Sequence, residues 1–348
     1  MIMTSHTPKN SIATPDVAVI ILNWNGKELM RRFLPSVIEH TPAETGRVIV
    51  ADNGSTDGSV EMLEREFPHV ELIRFAENHG FAEGYNLAIE ATKYKYTVLL
   101  NSDVEVRNDW LTPLYRYMES HAEVAAVQPK IMSLQQDGYF EYAGACGGLI
   151  DRHGYPYCRG RVFGTLERDT GQYDNPMQIF WASGAALMVR TEVYLAAGGL
   201  DPKFFAHMEE IDLCWRMQLQ GHKIAVVPES EVFHLGGGSL PASNPRKTYL
   251  NFRNSLLMLH KNLPESSRKS MLLKRRLLDT IAWTKFMLTL DWGNANAILR
   301  AHRDYRRMSR EYDTHPNRDL LNTVPKRPNI ITEYYLRRHS KYSDICGD

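Results

Sequence analysis

Apolar runs and helical stripes alternate through the first third of the chain. Residues 17–22 (VAVIIL) are continuously apolar, as expected for a strand buried on both faces. Residues 27–39 follow with helical spacing, and 47–51 (RVIVA) form a second buried run. Residues 57–67 read as a helix with Val60, Leu63 and Phe67 on one face. A third strand is predicted at 71–75, a helix at 81–91, and a fourth buried strand at 96–100 (YTVLL). Strand–helix alternation with short loops predicts a parallel, doubly wound sheet. Ligands on such sheets sit at the carboxyl ends of the strands, which directs attention to the loops at Asn23, Asp52, Asn78 and Asn101.

The pattern changes between Gln128 and Trp181, where Gly, Tyr, Arg and Asp dominate and an insert of short hairpins and loops is predicted. Regular signals return at 185–190 (strand), 210–220 (helix) and 223–227 (strand). Beyond about Pro245 the strands cease, and 247–261, 266–290 and 293–308 read as helices. The tail after Thr314, rich in Pro, Arg and Tyr, is expected to be loosely ordered. The polar start, Met1 to Asp16, carries Pro8 and Pro15 and has no apolar core of a signal peptide. The expected organisation is a disordered leader (1–16), an α/β catalytic domain (17–240) and a C-terminal helical extension with its tail (241–348).

Composition narrows the class. With 43% hydrophobic and 24% charged residues, 348 residues can bury an ordinary core. A net charge of +0 removes any global basic field for nucleic acid. The cysteines, Cys146, Cys158, Cys214 and Cys346, have no C-x-x-C spacing, which argues against zinc; scattered thiols fit a reducing cytosol. No stretch reaches the roughly 18 apolar residues of a membrane span. A soluble or peripheral protein is expected.

Candidate chemistry sits at the strand ends. After the second strand comes Asp52-Asn53-Gly54-Ser55-Thr56-Asp57; Asp52 can accept from the N3–H of a uracil or thymine ring, while Asp57 suits a helix cap. After the fourth comes Asn101-Ser102-Asp103, which can hold a divalent cation bridging two phosphates, or simply cap a turn. Glu209, Glu210 and Asp212 open a predicted helix, where negative charge is favourable in any case. The tight turns and aromatics before them, including Phe204 and Phe205, suit a carboxylate with a raised pKa, as a general base needs. His234 precedes Leu235-Gly236-Gly237-Gly238-Ser239; imidazole is a metal ligand, and glycines let backbone approach a phosphate.

The order of these signals carries more than any one of them. Asn23-Trp24-Asn25-Gly26, the Asp52 cluster, the run from Asn78 to Asn86, Asn101-Ser102-Asp103, Glu209-Glu210-Ile211-Asp212 and His234 together resemble glycosyltransferase family 2 with its GT-A fold. The resemblance is to the rhamnosyltransferase-like branch of bacterial surface polysaccharide assembly. It covers Val17 to about Ser239, with a weaker echo through Asn254. It implies that Asp52 binds the base and that Asn23 and Asn25 line the nucleotide pocket. Gly80, Gly84 and Asn86 match the donor-binding turn and helix. Asn101 and Ser102 fall on the donor side of the D-x-D position, with Asp103 as direct metal ligand, His234 as the distal one, and Mg²⁺ or Mn²⁺ as cofactor. Asn101 departs from a strict D-x-D by lacking charge.

Trp181, Ser183, Gly184 and Ala185 match the segment lining the acceptor and donor sugar sites. Glu210 matches the catalytic base, with Glu209 or Asp212 as alternatives because Glu replaces the usual Asp. The implied activity is inverting transfer of one sugar, rhamnose by branch, from a UDP- or dTDP-sugar to a lipid-linked or growing surface glycan. The implied location is the cytoplasm or the inner face of the cell membrane. Arg253 in the third-from-last predicted helix can close over a diphosphate or pack as an ordinary helix residue. Residues 271–292, which mix Lys274, Arg275, Arg276 and Lys285 with Leu, Ile, Trp and Phe, can lie on an anionic membrane or pack on the catalytic domain. The first strand is not followed by the G-x-G-x-x-G turn of a dehydrogenase or a Gly-rich nucleotidyltransferase loop, and no Q-x-x-R-W of a processive synthase occurs. An inactive nucleotide-sugar-binding scaffold is the alternative from another class.

Overall fold

A computed structural model describes residues 15–236, 244–312, 316–323 and 327–347. Nearly all of the expected leader, together with Gly237, Gly238 and Ser239, lies outside the described residues.

The first half holds β1 (Val17–Asn23), α1 (Lys27–Glu39), β2 (Gly46–Asn53), α2 (Ser59–Glu66), β3 (Glu71–Phe75), α3 (Gly80–Ala91), β4 (Tyr96–Leu100), β5 (Val104–Val106), α4 (Leu111–Ser120) and β6 (Val124–Ser133). Short hairpin strands follow: β7 (Gly148–Ile150), β8 (Pro156–Cys158), β9 (Arg161–Val162), β10 (Thr165–Leu166) and β11 (Met177–Ile179). Then come β12 (Ala186–Arg190), α5 (Thr191–Ala196), α6 (Glu209–Leu219) and β13 (Lys223–His234). The C-terminal part is α7 (Pro245–Asn262), α8 (Glu265–Leu288), α9 (Trp292–Met308) and the short α10 (Tyr342–Cys346).

Among the described residues, nine strands form one sheet in the order β11-β13-β6-β12-β4-β1-β2-β3, with β5 added on β13. Strands β3, β2, β1 and β4 run parallel, and β12 enters antiparallel between β4 and β6. The expected doubly wound, mostly parallel sheet is therefore present. Its apolar runs are buried on both faces. On β1, Val17, Val19 and Ile21 pack with Met30 and Leu34 of α1, while Ala18 and Ile20 face Ala82 and Tyr85 of α3 on the other side. Strand alternation thus feeds two cores at once. Close packing of α3 needs Gly84: a Cβ there falls 2.9 Å from Leu22 Cδ2 and 3.0 Å from Asn53 Nδ2.

Three differences from the sequence reading have physical causes. The segment 124–133, half of it assigned to the insert, is a buried central strand; its Gln128, Pro129 and Lys130 mask the apolar pattern, yet Gln128 is fully buried and bonds the Gly144 carbonyl at 3.3 Å. Strand β13 does not stop at Val227. Its register shifts between Val227 and Glu231, and beyond that irregularity it continues to His234. The tail is not loosely ordered where it is described. Leu320, Leu321, Ile330 and Tyr342 are buried, Arg327 Nη1 donates to the Ile150 carbonyl at 2.9 Å, and the Tyr342 amide donates to Glu167 Oε1 at 2.9 Å.

The expected hairpin insert is a four-stranded antiparallel sheet, β10-β9-β8-β7. Helix α8 packs on the body through Leu272, Arg275 and Asp279. Of the two roles open to residues 271–292, Arg275 takes the packing one: it is buried, 3.8 Å from the centroid of the Tyr155 ring and bonded to Ser255 Oγ at 2.7 Å. Lys274, Arg276 and Lys285 stay exposed, as do Leu273, Leu277 and Ile281 at four-residue spacing. No helix among the described residues is long and apolar enough to cross a membrane.

Candidate active site

At the carboxyl ends of β1 and β2, Asn23 and Asp52 face each other across the parallel ladder. Asn23 Nδ2 donates to Asp52 Oδ2 at 2.9 Å, and the Ser55 amide donates to Asp52 Oδ1 at 2.9 Å. The Thr56 amide donates to Asn25 Oδ1 at 2.7 Å, which fixes the Asn25 turn, at φ 50°, against the second loop. Each Asp52 oxygen keeps a free lone pair beyond these contacts, and the buried Asn23 Oδ1 has no protein partner. Asp57, expected as the cap of α2, sits one residue before it; Gly58, at φ 80°, is the N-cap, and Asp57 accepts from the Ser59 amide and from the Lys27 amide at the start of α1. A cavity of about 340 Å³ opens beside this turn, lined in part by Lys27, Ser55, Thr56 and Arg65.

The next loop is held by a residue the sequence reading passed over. Buried Asn53 donates to Asn78 Oδ1 and to the Gly80 carbonyl, both at 3.0 Å, and accepts from the His79 amide at 3.0 Å. Asn86, expected to bind donor, is spent on structure: it donates to the Leu200 carbonyl at 2.8 Å and accepts from Tyr194 and the Leu200 amide.

Strand pairing brings the proposed metal pair together. Val104 of β5 lies opposite His234 of β13, and the Leu235 amide donates to the Asp103 carbonyl at 3.0 Å. His234 Nε2 is 3.0 Å from Asp103 Oδ1, with the Asn101 amide 3.4 Å from the same nitrogen. These side chains come from positions 131 apart in sequence. Glu141, from the insert, sits behind the imidazole: its Oε2 is 3.3 Å from Nδ1, an ion-pair distance in a geometry that makes no hydrogen bond. Burial disfavours the imidazolium, but the Asp103 and Glu141 carboxylates outweigh it and lift His234 to about 10. No sequence motif marks Glu141; only the folded insert delivers it. A carboxylate oxygen and an imidazole nitrogen, both largely buried and already convergent, are a donor set that fits Mg²⁺ or Mn²⁺ once Nε2 has given up its proton. Among the described residues, no group of three or more His, Cys, Asp or Glu is arranged to hold a metal alone.

The carboxylates of α6 lie across the segment 183–185. The Asn101 amide donates to the Ala185 carbonyl at 3.0 Å, and a Cβ built on Gly184 falls 3.9 Å from the Glu210 Cβ and 3.6 Å from Phe81 Cζ. One turn on from Glu210, Cys214 Sγ accepts from the Ala182 amide at 3.5 Å, so this face of α6 looks onto the segment. Glu209 Oε2 and Glu210 Oε2 are buried without partners. Burial pushes Glu210 up to about 7, and burial followed by repulsion from Glu210 raises Glu209 well above the carboxylate range. Asp212 is different. Burial alone would raise it, but Arg216 and Lys261 hold it below its usual value, at 2.8 and 2.9 Å from Oδ2, while Asn262 donates to Oδ1 at 2.7 Å. It is an ion-pair hub between α6 and α7 and has no capacity left to serve as the alternative base.

The loop entering α6 is strained. Phe205, His207 and Met208 all have positive φ, at 66°, 69° and 74°, a conformation that costs non-glycine residues on the order of 1 kcal/mol or more each. Helix α7 holds it. Asn254 Nδ2 contacts the carbonyls of Phe204, Ala206 and His207 at 2.9, 2.8 and 2.7 Å, and Arg253 Nη2 donates to those of Lys203 and Phe204. Arg253, expected over a diphosphate, is therefore buried as a clamp on this loop. Trp181 likewise turns away from the site; its Nε1 donates to the Leu149 carbonyl at 2.8 Å. Ser183 is buried, bonded to Gln128 and to the Ala143 carbonyl.

Comparison with known proteins is consistent with this geometry. Residues 18–182 match the model described as glycosyl transferase family 2. The chain is 26% identical over 238 residues to an N-acetylglucosaminyl-diphospho-decaprenol L-rhamnosyltransferase of Mycobacterium tuberculosis, covering 64% of this chain and 76% of the relative. Among solved structures, it is similar to GalNAc-T7 with UDP, GalNAc and Mn²⁺ (TM-score 0.56, 19% identity), covering 75% of this chain and 50% of that one. It is also similar to S. aureus TarS 1-349 with UDP-GlcNAc (TM-score 0.55, 14% identity), covering 83% and 80%. At these identities the structures speak to the fold, a GT-A glycosyltransferase fold.

Proposed function

We propose that this chain, which carries a glycosyl transferase family 2 domain, moves a single sugar from a UDP- or dTDP-sugar to an acceptor hydroxyl with inversion. The acceptor we assign is a lipid-linked glycan, in keeping with the diphospho-decaprenol named for the M. tuberculosis relative, and rhamnose is the sugar by the same likeness. The carrying observation is the meeting of Asp103 and His234 at 3.0 Å on one side of segment 183–185, with the unpartnered Glu210 carboxylate on the other.

In this reading Asp52 accepts from the base N3–H with a remaining lone pair, and buried Asn23 orients that carboxylate through its Nδ2. Asn86 acts at one remove, by fixing the turn at Leu200. Asp103 and His234 would hold Mg²⁺ or Mn²⁺, with phosphate oxygens of the donor completing the shell; the ion supplies Lewis-acid stabilisation of the departing diphosphate. Glu210 takes the proton of the acceptor hydroxyl as that oxygen bonds to the anomeric carbon. The bond to the diphosphate oxygen breaks on the opposite face, and its electron pair leaves with the nucleotide. A carboxyl raised to about 7 is a stronger base than an ordinary Glu and is still ionised in good part at neutral pH. The exposed Leu273, Leu277 and Ile281, bordered by Lys274, Arg276 and Lys285, suit contact with an anionic bilayer that carries such an acceptor.

The test is a donor panel read by thermal shift with Mg²⁺ and Mn²⁺, followed by NMR of the product linkage. A UDP- or dTDP-sugar should stabilise the protein only with metal, and Asp103→Ala should abolish that dependence. Retention of the donor's anomeric configuration in the product would sink the mechanism. Liposome flotation of the intact chain checks the bilayer contact, which fails if anionic lipid makes no difference.

A further inference from the structure

A second cavity, of about 410 Å³, opens between α7, α9 and the strained loop; Phe205, Arg246, Tyr249, Arg253, Asn296 and Arg300 line it. Its arginines Arg246 and Arg300 form no ion pair among the described residues. The Arg246 guanidinium lies 5.1 Å over the Phe205 ring and that of Arg300 5.2 Å over Tyr249. Arg253 spends its hydrogens on carbonyls and Asn254 but adds its charge. The nearby Asp304 is already engaged by the Tyr249 hydroxyl at 2.8 Å and by Arg303 and Arg307. Guanidinium groups held over aromatic rings at the wall of a cavity suit phosphate oxygens.

The surroundings say what the phosphate is attached to. None of the lining belongs to the Asp52 or Asp103–His234 groups, so the cavity is separate from the donor's own contacts. Phe205 borders both regions: a Cβ built on Gly80, at the start of α3, falls 3.5 Å from its ring. The same loop runs on into Glu209 and Glu210. Four apolar residues nearby in sequence, Leu288, Leu290, Trp292 and Leu299, are exposed, and Trp292 and Leu299 directly precede the lining residues Gly293 and Arg300. An anion site with exposed apolar residues beside it in sequence and the proposed base on the loop that borders it fits a diphosphate whose two ends differ, one hydrocarbon and one glycosyl.

We propose that Arg246 and Arg300, stacked on Phe205 and Tyr249, bind the diphosphate of a prenyl-type lipid acceptor, with its hydrocarbon leaving over Trp292 and Leu299. This rests on the acceptor class proposed above. The test uses the full chain in detergent micelles, with EDTA present so that no metal-dependent site contributes. Farnesyl diphosphate and inorganic diphosphate are titrated calorimetrically into wild type, Asp103→Ala and the double variant Arg246→Gln/Arg300→Gln. Both arginines are exposed and without ion-pair partners among the described residues, so the double variant keeps its fold, which a matching thermal midpoint verifies.

Farnesyl diphosphate should bind wild type and Asp103→Ala alike, at least tenfold more tightly than inorganic diphosphate, and the double variant should lose at least tenfold. In turnover, the KM for lipid-linked acceptor should rise at least tenfold in the double variant while the KM for donor stays within twofold. Equal binding of the two probes would reduce the site to one for free phosphate. Loss of binding in Asp103→Ala, or a raised donor KM in the double variant, would place the anion in the donor site; either result overturns the proposal. Absence of transfer from every nucleotide sugar, with the titration intact, would instead remove the function proposed above and leave the anion site standing.

Discussion

The two ends of the candidate site are built on different principles. At the nucleotide end, Asn23, Asp52 and Ser55 bond one another from adjacent strand ends, leaving Asn23 Oδ1 without a protein partner, and the contacts that hold them come from the strand ends themselves. At the base end, Glu209 and Glu210 are buried with unpartnered oxygens, their loop is held in left-handed conformations, and its support comes from α7. The first arrangement favours a pre-formed binding surface. The second keeps carboxylates in an environment that resists their charge, which stability alone would not select. On the reading proposed above, affinity would reside in the sheet and reactivity in a loop that other parts of the chain constrain.

The largest expected effect separates the two ends directly. Glu210→Gln should lower turnover by about 10²–10⁴ while metal-dependent donor binding by thermal shift stays unchanged; near-normal turnover would move the base elsewhere and erase the contrast. Asp212→Ala should cost about 3–5 kcal/mol in urea unfolding, because Arg216 and Lys261 lose a buried counter-charge. A cost near zero would mean that the α6–α7 join is not electrostatic.

Asn254→Ala leaves the Ala206 and His207 carbonyls without their amide donor. It should destabilise by about 2–3 kcal/mol and reduce kcat at least tenfold with donor affinity intact. If donor affinity falls in step with kcat, the two ends are coupled and the comparison fails.

A pH experiment sharpens the same point. The folded Glu210 holds its proton up to about 7, whereas the unfolded chain releases it near 4.5. Between those values the folded state binds more protons, so this group's contribution makes stability fall as pH rises, with the full penalty present above about 7 and none below 4.5. Glu210→Gln should thus be more stable than wild type by roughly 1–3 kcal/mol at pH 8 and equal to it at pH 4, read from urea midpoints. At the nucleotide end, Asp52→Asn should weaken donor binding by about tenfold, or roughly 1.4 kcal/mol, with kcat at saturating donor unchanged.

Legibility followed the range of the interactions. Strands β3 and β4 and helix α1 were set by their own apolar patterns and fall where the sequence places them. Asp103 and His234 were readable as strand-end residues, and β5–β13 pairing brings them together. Strand β6 was hidden because burial of Gln128 and Lys130 depends on partners supplied by the insert. Glu141 and Asn53 carry no local signature, since their roles depend on groups they meet only in the fold. Arg253 and Asn254 fall in a helix legible from the sequence, but the carbonyls they bind lie in a loop whose left-handed residues, Phe205, His207 and Met208, no propensity predicts. The tail looked like a linker by composition, whereas Arg327 and Tyr342 tie it to the insert across 177 and 175 positions.

The Asn254 clamp has a consequence for biosynthesis. Its amide reaches back 47 positions to the His207 carbonyl, so a growing polypeptide emerges from the ribosome with Glu210 already made and nothing to hold the turn before it. The β-strands can pair early, but the reactive carboxylate acquires its setting only after α7 has been translated. On the reading proposed above, sugar transfer has to wait until Asn254 has left the ribosome and α7 has docked.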